Sequence, residues 1–101
     1  GRSDEVIISG GEKISLVEVE ELIKKILPGV EVITFAMADD KWGDKLCLAS
    51  TSVINQEELR IKIGNLATPK ELFVFESIPK TSIGKPDRRM AAQIASKMRI
   101  K

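Results

Sequence analysis

Apolar positions along the 101-residue chain change period several times, and each change predicts an element. In "DEVIISGGEKISL" two short apolar-alternating runs flank Gly10-Gly11, a pair that supplies the positive φ of a tight turn, so the segment reads as a β-hairpin. Ser15, with Glu18 three residues on, is a capping-box signal. Leu16, Val19, Ile23 and Ile26 then recur at three- and four-residue spacing, as in a one-sided helix that Pro28-Gly29 ends. "VEVITFAMA" is apolar on both faces and reads as a strand. "DDKWGDK" reads as a turn and "LCLASTSVI" as the antiparallel partner strand. Asn55 with Glu58 is a second cap signal, for a helix reaching about Gly64 with Leu59 and Ile63 on its apolar edge. "ELFVFES" reads as a third strand. Asp87 caps a last helix with Met90, Ile94 and Met98 on one stripe. The order predicts an α+β domain over residues 1–101: an N-terminal β-hairpin and a small, mostly antiparallel three-stranded sheet packed with helices.

The length suits one modest core. No apolar run is long enough for a membrane span, and no signal-peptide pattern opens the chain. A cytoplasmic location is expected, with membrane association of a longer protein left open. Cys47, the only cysteine, lies in an apolar run and reads as a buried structural thiol. The absence of histidine excludes a histidine base, and with a single cysteine it argues against a zinc site.

Charge alters the picture more than composition does. Residues 1–78 carry 9 basic and 14 acidic side chains, whereas residues 79–101 carry 7 basic and 1 acidic. The tail should attract anions such as phosphates. Four aromatic residues without basic–aromatic interleaving argue against nucleic acid as that anion.

The candidate chemistry lies in "IPKTSIGKPDRR". Lys85 follows Gly84, but Pro79 stands where a Walker loop needs its first glycine. Pro79 and Pro86 stiffen the segment, and Gly84 permits a close backbone approach. An ammonium presented there could neutralise charge on a phosphate or carboxylate. Taken alone, the segment reads as a solvated loop before a helix, since most lysines are exposed and idle. Likewise Gly10-Gly11 reads as a plain turn, Trp42 as an edge cap of the core, Met90 and Met98 as core, and the acids of "EVEE" as a solvated helix face. Asp4 and Glu5, adjacent in a strand, point to opposite faces and do not suggest a shared acid–base site.

Three segments in order carry more information than any one: "GRSDEVIISGGEKISLVEVE", "DDKWGDK" and "FESIPKTSIGKPDRR". Together they resemble the C-terminal subdomain of the adenylate-forming superfamily over nearly the whole chain. That superfamily includes acyl-CoA synthetases, peptide-synthetase adenylation domains and luciferases. The resemblance implies a ligase using ATP and Mg²⁺ to convert a carboxylate into an acyl-adenylate, then passing the acyl group to coenzyme A or to the phosphopantetheine of an acyl carrier protein. It implies that the ATP and acyl pockets lie in a large N-terminal adenylation domain, which the small domain meets in two poses. By match of position, Lys85 is the adenylation lysine and Asp4 the hinge. Arg2 approaches the nucleotide. Ser9, Gly10, Gly11 and Glu12 form the loop that faces the pantetheine arm in the thioester pose. Trp42 and Gly43 match a structural turn. Ile83 and Pro86 depart from the common pattern, and "SIGKPD" is similar to acyl–acyl-carrier-protein synthetases of the 2-acylglycerophosphoethanolamine acyltransferase type, which points to fatty-acid metabolism. The start at Gly1-Arg2, within the first matched segment, suggests a piece of a longer enzyme that is inactive alone. The alternatives are a stand-alone module docking on a carrier protein or other partner, and a small anion- or nucleic-acid-binding domain.

Overall fold

The computed structural model describes residues 5–41, 43–64 and 68–99. Arg2, Asp4 and Trp42 lie outside the described residues. Strands β1 (Val6–Ser9) and β2 (Glu12–Ser15) form the expected hairpin, in register from Val6 opposite Ser15 to Ser9 opposite Glu12. Gly10 and Gly11 have φ of 59° and 84°, the left-handed pair that a two-residue hairpin turn requires. Helix α1 (Leu16–Ile26) follows, and the Ser15 hydroxyl accepts the Glu18 N–H at 3.2 Å. Strands β3 (Val32–Asp39) and β4 (Gly43–Ser50) pair antiparallel along their whole lengths. Helix α2 (Gln56–Ile63) is capped by the Asn55 side chain, which accepts from Glu58 at 2.9 Å. Strand β5 (Glu71–Val74) and helix α3 (Arg88–Arg99) complete the order, with Asp87 Oδ1 accepting the Met90 N–H at 3.0 Å.

The sheet is larger than the pattern predicts. The hairpin joins it where Ser9 meets Gly43, giving five strands in which β4 pairs with β1, β3 and β5. β5 runs parallel to β4, with α2 in the crossover. β4 begins at Gly43, inside the expected turn, because Asp39 pairs directly with Gly43. β5 stops at Val74, although the Phe75 N–H still reaches Ser50 O at 2.8 Å.

Alternation along β3 and β4 explains why each strand carries apolar residues on both faces. Val32, Leu46 and Leu48 face Leu16, Val19, Ile23 and Leu59 of the two first helices. Ile33, Phe35, Cys47 and Ala49 face Phe73, Phe75, Ala91 and Ala95. The sheet is therefore covered on both faces, by α1 and α2 on one and α3 on the other. No helix among the described residues is long and apolar enough to cross a membrane.

Two expectations fail, for one reason: what packs is set by the helix surface nearest the sheet. Met90 and Met98 are 43% and 45% exposed, not core. Ala91 and Ala95 face the sheet instead, against a cluster of three phenylalanine rings with centroids 5.9 to 6.4 Å apart. Within "EVEE", Glu20 is not on a solvated face; it is 4% exposed. It follows Val19 and sits four residues from Leu16, inside the apolar stripe of α1.

Candidate functional site

The segment from Ile78 to Asp87 folds as a small closed loop. Ile78 is buried against the α3 side of the core and anchors its start. Lys80 and Pro86 form an isolated antiparallel bridge. Within that bridge the Thr81 N–H donates to Lys85 O at 2.7 Å, the Gly84 N–H donates to Thr81 O at 2.9 Å, and the Lys85 N–H donates to Thr81 Oγ1 at 3.2 Å. Gly84 has φ of 86°, as the third loop residue of such a hairpin must. The Asp87 N–H closes the base on Pro79 O at 3.0 Å. The backbone is thus tied several times over, and the exposed Lys85 side chain projects from a defined loop. Ile83, 76% exposed, shares its tip.

One residue past the base, Arg88 turns back over the edge of the sheet. Its Nη1 donates to Glu20 Oε1 at 2.7 Å and to the backbone O of Thr34 at 2.9 Å. Glu20 Oε1 also accepts the Thr34 N–H at 2.9 Å, and Thr34 Oγ1 donates to Leu16 O at 2.7 Å. β3 is an edge strand, and this buried group satisfies the backbone N–H and C=O that Thr34 turns away from β4. Lys24 adds a second cation 3.5 Å from Glu20. Arg88 Nε is buried without a hydrogen-bond partner among the described residues, 3.5 Å from Glu5 Oε2. Sequence reasoning missed this network. The available signals were an acid inside an apolar helical stripe and a threonine inside an apolar strand.

Two concave surfaces border the matched segments. Glu5, Thr81, Pro86, Asp87, Arg88 and Arg89 border an open cleft of about 480 Å³. Ser9, Gly10 and Glu12 border a separate hollow of about 70 Å³ with Thr68 and Lys70. Gly43 opens β4 where the hairpin crosses it. Cys47 is fully buried, and burial together with the nearby Glu71 carboxylate pushes its thiol up to about 12, so it is no nucleophile at neutral pH. Among the described residues no three Asp, Glu, Cys or His side chains cluster as a metal site.

The fold and the order of these segments define a class of domain, and comparison with known proteins agrees. No protein-family model matches the chain. It is 36% identical to a probable CoA ligase of Humulus lupulus, over 92% of this chain and 19% of that protein. It is 30% identical to a 2-succinylbenzoate–CoA ligase of Listeria monocytogenes, over 95% of this chain and 22% of that protein. A fatty acyl CoA synthetase structure from Mycobacterium tuberculosis superposes with a TM-score of 0.82 at 27% identity, over 96% of this chain and 21% of that one. The chain belongs to the adenylate-forming superfamily, where it corresponds to the C-terminal subdomain. It spans about a fifth of the length of these relatives.

Proposed function

We propose that this chain is the moving C-terminal lid of an ATP-dependent, AMP-forming ligase that joins a carboxylic acid to coenzyme A. The observation that carries the reading is the Lys85 loop, closed by its own backbone and leaving the Lys85 ammonium exposed at the position the superfamily pattern gives to the adenylation lysine.

In the first half-reaction a carboxylate oxygen attacks the α-phosphorus of ATP. The bond to the bridging oxygen breaks, and pyrophosphate leaves. The carboxylate and the α-phosphate repel as they approach, charge grows on the α-phosphoryl and departing pyrophosphate oxygens, and the Lys85 ammonium offsets it. A compact ammonium suits this task because it can follow charge between two groups. In the second half-reaction the thiol sulfur attacks the acyl carbonyl carbon, AMP leaves, and a thioester forms. The Ser9–Glu12 turn faces that step, where two glycines leave room for a narrow pantetheine arm. Asp4 is the hinge between the two poses, and Arg2 approaches the nucleotide.

The relatives named above are CoA ligases, which favours coenzyme A over a carrier protein as acceptor. The fatty-acid, carrier-protein reading rests on "SIGKPD" alone. A pyrophosphate-exchange screen over carboxylic acids with the complete ligase identifies the acid.

The test of the reading is Lys85→Ala in the complete ligase. Adenylation should fall at least ~100-fold, the scale of losing one preorganised charge-stabilising group. Thioester formation from supplied acyl-adenylate should persist. Equal losses in both halves would refute the role given to Lys85. The 101-residue chain alone should show no pyrophosphate exchange, since the reading leaves the ATP and acyl pockets to the rest of the enzyme; exchange by this chain would sink it.

A further inference from the structure

We infer that Arg88 is a positioning residue for Lys85, fixing where the lysine loop stands on the sheet and linking it to the strand entered from the hinge. The inference rests on the reading of Lys85 above. The internal hydrogen bonds of the loop set its shape but not its direction. Direction depends on what holds its base, and there the chain passes from Asp87 into α3. Arg88 is the residue at that junction whose side chain crosses to another element. It reaches Glu20 on α1 and Thr34 on β3, and both are buried and rigidly placed. It lies three positions after Lys85, so a shift of this anchor carries the ammonium with it. A displacement near 1 Å suffices to lose ~100-fold in rate where reacting groups must be aligned.

The second arm of Arg88 points at Glu5. The Nε–Oε2 distance is 3.5 Å, and the buried Nε–H is not hydrogen-bonded among the described residues. Glu5 follows Asp4, the assigned hinge, so the same guanidinium faces both the loop support and the first strand after the hinge. The cleft bordered by Glu5, Thr81 and Arg88 is where these three meet.

The test compares both half-reactions in the complete ligase. Arg88→Met keeps the stem and removes the donors. Adenylation kcat should fall at least tenfold with the KM for ATP within about twofold, while thioester formation from supplied acyl-adenylate stays within about threefold. Arg88→Lys should recover part of the adenylation rate, since an ammonium can reach one acceptor but not the whole set. Undiminished adenylation in Arg88→Met, or equal loss in both halves, would overturn the inference as a general structural effect. If Arg88→Met does not fold, Glu5→Gln decides: a twofold or larger loss confined to adenylation is expected, and unchanged rates overturn the inference. Lys85→Ala is run in parallel. If it leaves adenylation intact, the reading of Lys85 fails. If it abolishes adenylation while Arg88→Met leaves adenylation undiminished, only the positioning role fails.

Discussion

Arg88–Glu20 and Arg60–Glu57 are the same chemical pair in opposite surroundings. Arg60 and Glu57 lie three residues apart on α2, with side chains 44% and 63% exposed. Arg88 and Glu20 are 68 residues apart, with side chains 13% and 5% exposed, and both also bond the backbone of Thr34. Water competes for the first pair and screens it. The second has left water, so each partner depends on the other and on the strand edge it caps. A salt bridge is structurally informative here only where losing it would strand a buried charge.

The largest break of this contrast is Glu20→Ala. It leaves the Arg88 guanidinium buried and the Thr34 N–H without its acceptor, and should lower the unfolding free energy by about 3–5 kcal/mol, read by urea denaturation. That is a large share of the ~5–15 kcal/mol typical of a domain. Adding Arg88→Met should recover about 1 kcal/mol or more of that loss, since no buried cation then remains. Further loss in the double variant would mean that the two residues act independently.

A smaller effect isolates the loop that Arg88 fastens. A Cβ on Gly84 meets nothing within 4 Å, so Gly84→Ala adds no clash and costs only the left-handed backbone at φ 86°, about 1–2 kcal/mol. Adenylation in the complete ligase should fall by a larger factor than this stability loss suggests. A variant with full adenylation would show that loop geometry is not what presents Lys85.

The contrast also marks how far the sequence could be read. The hairpin at Gly10-Gly11, the caps at Ser15, Asn55 and Asp87, and the pairing of β3 with β4 were legible because each is written in neighbouring residues. The role proposed for Lys85 rests on its place in an ordered set of segments. Glu20, Arg88 and Thr34 were not legible, because nothing local links residues that only tertiary packing joins. The same holds for Ala91 and Ala95: periodicity marks Met90 and Met98 as apolar, but which side of α3 approaches the sheet depends on the three phenylalanines that fill it.

Cys47 gives an intermediate case. It is one buried titratable group beside the Lys45, Glu71, Asp39 and Arg99 charges, and its burial is the largest cause of the raised pKa. The unfolded thiol titrates near ~8.5 and the folded one at about 12. Above ~8.5 the unfolded chain releases its proton first, so this contribution is complete below that pH and is lost as pH rises toward 12. Relative to Cys47→Ala, the wild-type chain should lose about 1 kcal/mol of stability between pH 9 and 10. Parallel pH profiles would show that the thiol is not sequestered.

The smallest expected effect is the other half of the comparison. The Glu57 carboxyl is held below its ordinary range, first by the hydrogen bond from Arg60 and then by its charge. A depressed carboxylate contributes stability above its unfolded pKa and loses it as pH falls through the folded value. Here the pair stands in solvent, and the same screening that weakens the attraction removes most of that contribution. Arg60→Ala should therefore return the Glu57 titration, followed by NMR, to the ordinary carboxylate range while leaving the thermal midpoint within about 1 °C. The local titration moves and the fold does not respond, because neither partner is left buried. A midpoint shift on the scale of Glu20→Ala would mean that exposure does not separate the two pairs, and the role given to the buried one would lose its physical basis.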